Sequence, residues 1–306
     1  MTPGWMDARP GACIRLSSGP HSAVVAPAAG GRILRLSSDT PSGRREWVVP
    51  IEAEGWPADA WPKGGIFPLA PFSNRIRDGV LHWRGRSLRL ERYPGQAHAL
   101  HGHAQAGCWR LRDVGDDHVA MRYDHPPGAA GWPWAWRLDQ DVRLSDAGLE
   151  VRLVLANRSD EPMPAGLGLH PYFTAARARL EASVLWEHEE ELASRPRPNA
   201  ASAWERGTDT WTAFLAGWNG TCRLDWDEGP GLRIDADLDH VVLHAPQGRY
   251  LCVEPVSHVC DAFNLAAAGA EGTGLRVLDP GGTLRARIAF SWLPDGLRKG
   301  NFPAVP

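Results

Sequence analysis

Little in this 306-residue chain speaks for a membrane, a disulfide framework or a nucleic-acid partner. No uninterrupted apolar run is long enough to cross a bilayer as a helix. Met1 to Pro10 holds Asp7 and Arg9 and no apolar core, so it does not read as a secretory signal. Cysteine is sparse and odd in number: five residues, at 13, 108, 222, 252 and 260, without CxxC spacing. That pattern argues for reduced thiols in a cytoplasmic protein, and against both disulfide bracing and a structural zinc site. A charge of one sign is also missing. Thirty-six acidic residues face 33 basic ones, for a net −3 with the signs interspersed, so no basic face for nucleic acid stands out. Amphipathic helices are scarce. Ala175 to Leu180 and Leu265 to Ala268, closed by Gly269, could each make one turn. No linker, charge block or repeat divides the chain, which reads as a single domain over residues 1–306 with no legible oligomeric state.

What is present has a period of two. Leu149, Val151, Leu153 and Leu155 alternate with Glu150, Arg152, Val154 and Ala156. Leu284, Ala286, Ile288, Phe290 and Trp292 do the same, as do Trp136, Leu138, Val142 and Leu144, with Gln140 as the polar member of that row. Such runs are half-buried strands. Turn signals separate them at Asp39-Thr-Pro, Pro94-Gly, Pro126-Pro-Gly, Asp146-Ala-Gly and Asp279-Pro-Gly-Gly. The expected fold is all-β, a large antiparallel sandwich or barrel with few short helices. Fifteen tryptophans exceed ordinary core needs, and flat rings suit the C–H faces of sugars.

Four stretches carry chemistry. In Gly166-Leu-Gly-Leu-His170-Pro-Tyr-Phe173, Pro171 forces His170 into extended backbone. The glycines admit close approach of a chain or ligand, and Tyr172 and Phe173 flank the imidazole. His170 is then either a satisfied core histidine or an acid catalyst at a strand end. Phe67 to Gly79 reads as an ordered, Pro-bounded loop entering a strand at Val80. It presents Asn74 and Arg75, whose fork grips paired oxygens unless a surface acid claims it. His98-Ala-Leu-His101-Gly-His103 places His101 and His103 on one face if extended, as ligand-facing groups, as metal ligands, or as solvated or core histidines. No Glu follows at short spacing and a zinc or iron site needs a third protein ligand, so the expectation is no metal and no cofactor. In Tyr250-Leu-Cys-Val-Glu254-Pro-Val-Ser-His258, Leu251 and Val253 face one way and Cys252 and Glu254 the other, with Pro255 ending the ladder. Glu254 on an inner face must be paired or perturbed, as a structural ion pair or as a catalytic base. Cys260 lacks an orienting group and does not read as a nucleophile.

Taken together, these stretches resemble the aldose 1-epimerase (galactose mutarotase) family. The matching segments, in order, are Pro71-Phe-Ser-Asn74-Arg75-Ile, Leu100-His101-Gly, Gly168-Leu-His170-Pro-Tyr-Phe173 and Val253-Glu254-Pro. The histidine cluster and Phe214-Leu-Ala-Gly-Trp218-Asn-Gly220 look more like a bacterial mutarotase-like subgroup. The resemblance runs from about Pro20 to about Leu293 and implies a β supersandwich with a sugar cleft across one sheet.

It further implies an isomerase that interconverts anomers by opening the sugar ring. Glu254 would take the proton of the anomeric hydroxyl, and His170 would protonate the ring oxygen. Arg75 and His101 would hold ring oxygens, with Asn74 in support. The family's hydroxyl-binding Asp precedes a Phe; here Asp209 stands before Phe214 with Trp211-Thr between, and is the candidate for that role. A hexose 6-phosphate epimerase, which needs a further cation such as Arg77, and a non-catalytic sugar-binding protein are the alternatives. The expected partner in each case is a small sugar.

Overall fold

A computed structural model describes residues 12–52, 62–93 and 95–294. The readings of Met1 to Pro10 and of the turn at Pro94 lie outside these residues. Strand accounts for 56% and helix for 7%, which confirms the all-β class.

The sheet grows from the alternation seen in the sequence. Trp136–Ser145 and Gly148–Asn157 form a hairpin closed at Asp146-Ala147, and Thr283–Trp292 pairs along its second arm. In one row Leu138 meets Leu155, which meets Leu284; two rows on, Val142 meets Val151, which meets Ile288. Gln140, the polar member, is buried and donates from Nε2 to the Gly31 carbonyl at 2.7 Å. A second run is built from Ile66–Leu69, Gly168–Phe173, Leu251–Val256, His240–Ala245 and the long Trp211–Asp225, all antiparallel. The two runs belong to one folded sheet of 18 strands among the described residues. Phe173 of the second run packs edge-on against Phe290 of the first, with ring centroids 5.8 Å apart. The apolar face of each run is thereby buried against the other.

Two expectations need correction. Ala175 to Leu180 is no helix turn: Arg177 opens the strand Arg177–Glu189, whose Ala178 and Leu180 are buried while Arg179 and Glu181 are exposed. Pairing with Arg223 to Asp225 overrides a helix-favouring composition. Phe67 to Leu69 is a buried strand, not a loop, while a strand does begin at Val80. The helix Ala262–Ala267 forms about where expected. Trp47, Trp132, Trp134, Trp136 and Trp186 are fully buried core rings, so much of the tryptophan surplus packs the interior.

The glycines at 166 and 168 admit protein rather than ligand. A Cβ at Gly166 would lie 2.1 Å from His258 Nε2, and one at Gly168 would lie 2.6 Å from the Pro255 carbonyl oxygen. Gly168→Ala is therefore expected to destabilise the protein by about 1–3 kcal/mol through overpacking. A urea denaturation midpoint equal to wild type would contradict this contact.

Candidate active site

Pairing between the His170 strand, Gly168–Phe173, and the Glu254 strand, Leu251–Val256, is made at its ends. Gly168 pairs with Val256, and Tyr172 with Cys252. Both pairs share one register, and that register sets His170 directly opposite Glu254. Between them stand Pro171 and Pro255, which have no amide hydrogen to give. Pro255 thus does not end its strand, as the sequence suggests; it pairs with Val241 on the far side and lies where the ladder to the His170 strand is open. Strand alternation does the rest. His170 and Tyr172 share one face with Cys252 and Glu254, while Phe173 points into the core and is not part of the cluster.

The imidazole of His170 lies between two rings, Phe67 at 4.7 Å and Tyr172 at 4.5 Å. Behind Phe67 sits the buried guanidinium of Arg32, 4.2 Å from its centroid. His101 approaches His170 edge-on at 4.9 Å. Its backbone is left-handed (φ 60°), and its amide donates to the Asn74 carbonyl at 2.7 Å. This turn separates His101 from His103, so the two do not share a face. His103 stacks on His125 at 4.9 Å, and His98 Nδ1 accepts from the Asp78 amide at 3.0 Å. Arg75 pairs with Leu100 through a two-residue strand, and its guanidinium donates to Asn74 Oδ1 at 3.2 Å and to Glu191 at 2.7 Å.

Nε2 of His170 lies 3.4 Å from Oε1 of Glu254. Both residues are buried, at 5% and 2% exposure. Glu254 Oε2 and His170 Nδ1 have no hydrogen-bond partner among the described residues. Burial pushes the Glu254 carboxyl up to about 8, against the pull of Arg75 and Lys63. Burial holds His170 well below the ordinary imidazole range, and His101, His244, Arg32 and Lys63 push the same way. Burial thus pushes both groups toward their neutral forms, a protonated carboxyl and a free imidazole. The sequence expectation, a carboxylate facing an imidazolium, is the other tautomer of the same one-proton pair.

Other predicted residues fall elsewhere. Asp209 is exposed on the turn ahead of the Trp211–Asp225 strand. Arg77 forms an ion pair with Asp261 at 3.7 Å. Cys260 is buried with its thiol pushed up to about 12, no nucleophile. Arg32, behind Phe67, and Glu191, against Arg75, join the cluster unforeseen, and Lys63 and His244 act on His170 electrostatically. Only Arg32 left a trace in sequence: a cation inside an apolar strand must find a buried partner.

Sequence comparison matches residues 12–291 to the family described as aldose 1-epimerase. The chain belongs to this family. A relative from Escherichia coli K12, the uncharacterized protein YphB, is 29% identical over 277 residues, covering 80% of this chain and 90% of that protein. The fold matches a galactose mutarotase-like protein from Clostridium acetobutylicum at TM-score 0.78 and 16% identity, over 92% of this chain and 95% of the other. It also matches an aldose epimerase homologue from C. elegans at TM-score 0.75 and 16% identity, over 93% and 99% of the two chains.

The cluster also offers a ligand set that the histidine motif alone lacks. One ligand atom each from His101, His170 and Glu254 lies within 4.8 Å of the others. A divalent ion captured there would engage His170 and Glu254 together. Added Zn²⁺ is expected to inhibit competitively against sugar, and chelator is expected to leave activity intact. Activity lost on chelation and restored by a divalent ion would instead make the metal part of the machinery.

Proposed function

We propose that the protein is an aldose 1-epimerase that interconverts the α and β anomers of an aldose by acid–base ring opening. The observation that carries this reading is the buried Glu254–His170 pair. Its two groups stand 3.4 Å apart, both pushed by burial toward neutrality, and an unpartnered carboxylate oxygen remains for a sugar hydroxyl. Mutarotation needs one base and one acid on either side of a C–O bond, and a pair with one proton is that combination.

When a sugar donates its anomeric hydroxyl to Glu254 and offers its ring oxygen to His170, it favours the charged tautomer, Glu254 carboxylate with His170 imidazolium. Arg75 and Lys63 stabilise that carboxylate. Glu254 takes the O1 proton as the C1–O5 bond breaks, and O5 takes the proton of His170. The aldehyde end rotates and closes on its other face. O5–H then returns its proton to His170, and Glu254 returns its proton to O1. Phe67 and Tyr172 hold the imidazole plane throughout. Arg75 and His101 bind ring oxygens, with Asn74 fixing the guanidinium.

Glu254→Gln and His170→Asn should each lower kcat by about 10²–10⁴-fold, the usual worth of a general acid or base. Sugar binding should survive both. Polarimetry on fresh α-glucose and α-galactose reads the rate. Near-normal turnover in either variant removes that residue from the chemistry.

The pH dependence follows from the pair. A carboxyl raised to about 8 keeps its proton up to that pH, and above it the pair has no acid left. Below the depressed range of His170, a second proton arrives and the pair has no base. The kcat/KM profile should fall above about pH 8, stay level through pH 6.5, and lose its upper limb in Glu254→Gln. An upper limb unchanged in that variant would place the titrating group elsewhere.

A further inference from the structure

The strands Arg177–Glu189 and Leu192–Pro198 form a hairpin in which Glu189 pairs with Leu192. Its loop is therefore two residues, Glu190 and Glu191, both left-handed at φ 50° and 67°. Positive φ at both central positions is the geometry of a type I′ turn, which favours Asn-Gly. Two glutamates there hold a strained backbone, and strain of this kind collects at functional sites. The tip is also tethered. Cys260 Sγ lies 3.5 Å from the Glu191 carbonyl oxygen, and the Asp261 amide donates to the Arg75 carbonyl at 2.9 Å.

The strained turn aims one side chain at the cluster. The Glu191 carboxylate accepts from Arg75 at 2.7 Å, yet its side chain is 70% exposed while that of Arg75 is 18% exposed. It thus caps the guanidinium from the open side. Its charge is also felt at Lys63, His98 and His244. Asp209, the carboxylate expected to hold sugar hydroxyls, stands exposed on a different turn.

Resting on the ring-opening reading above, we infer that Glu191 is the hydroxyl-holding, specificity-determining carboxylate of the site, and that the substrate is an aldose uncharged at the end that meets Arg75. A sugar hydroxyl both donates and accepts. Against the Arg75–Glu191 pair it can accept from the guanidinium and donate to the carboxylate, so adjacent hydroxyls satisfy both groups. A phosphate or carboxylate on the sugar can satisfy only the guanidinium and is repelled by Glu191.

The test compares wild type with Glu191→Gln, Glu191→Ala and the double variant Glu190→Asn/Glu191→Gly. The last gives the turn its preferred residues and removes the carboxylate. The probes are D-glucose, D-galactose, D-glucuronate and D-glucose 6-phosphate. Affinity is read by calorimetry, anomerisation by polarimetry and stability by thermal melting. Wild type should bind a neutral sugar best. Each variant should lose about 10–100-fold in affinity for it, the usual worth of a charged hydrogen bond, and raise KM by a larger factor than it lowers kcat. The preference for neutral over anionic sugar should shrink most in Glu191→Gln. The double variant should melt at or above wild type, which separates lost recognition from lost folding.

Unchanged affinity and discrimination in the variants would reduce Glu191 to a surface ion pair, and a wild-type preference for an anionic probe would overturn the substrate class. Absence of anomerisation in wild type would sink the ring-opening reading alone, because the binding arm still decides the role of Glu191.

Discussion

The site depends on an unmade stretch of sheet. His170 and Glu254 face each other across two strands whose ladder closes at Gly168–Val256 and Tyr172–Cys252 and is open between. Closed pairing at the ends fixes the register, and the prolines at 171 and 255 leave no amide there to complete it. A one-residue slip would turn either side chain into the core face. The His170–Glu254 geometry is thus held by backbone pairing on both sides of it, and both residues sit on strands.

Burial then sets the chemistry. An isolated carboxylate and an isolated imidazole both resist charging when taken out of water, and here both are pushed toward neutrality. Placed together, they keep a single proton that either can hold. The cations around them work in opposite directions on the two partners. Arg75 and Lys63 favour the Glu254 carboxylate, while Lys63 and Arg32 oppose charge on His170. A sugar that hydrogen-bonds to both decides where the proton sits.

Much of this was legible before any coordinates. Alternation along Leu149 to Leu155 and Leu284 to Phe290 announced the sheet, because burial of one face imposes a period of two on composition. Pro171 after His170 announced an extended histidine, since proline restricts its predecessor whatever surrounds it. The faces of Leu251 to Glu254 followed from the same parity. What escaped notice depends on contacts between distant segments. That Pro255 lies inside a strand requires knowing that its far side pairs with Val241 while its open side turns to the His170 strand. That His101 and His103 diverge depends on the left-handed backbone at His101. Arg177 begins a strand because Asp225 lies beside it, and no local propensity reports that. Glu191 carries no motif at all: only the hairpin register places it against Arg75.

The stack of Arg32, Phe67, His170 and Tyr172, together with Arg75, His101 and Glu254, draws on segments scattered from the first strands to the last. No contiguous fragment contains them. During synthesis the imidazole, the rings beside it and the guanidinium emerge long before the carboxylate that completes the pair. Their sheet closes through pairings between remote parts of the chain, an arrangement associated with slow folding. The cluster is therefore completed late and as a whole. In the ring-opening mechanism proposed above, the appearance of turnover on refolding is a clock for the closure of the entire architecture, where backbone signals would report only local strand formation.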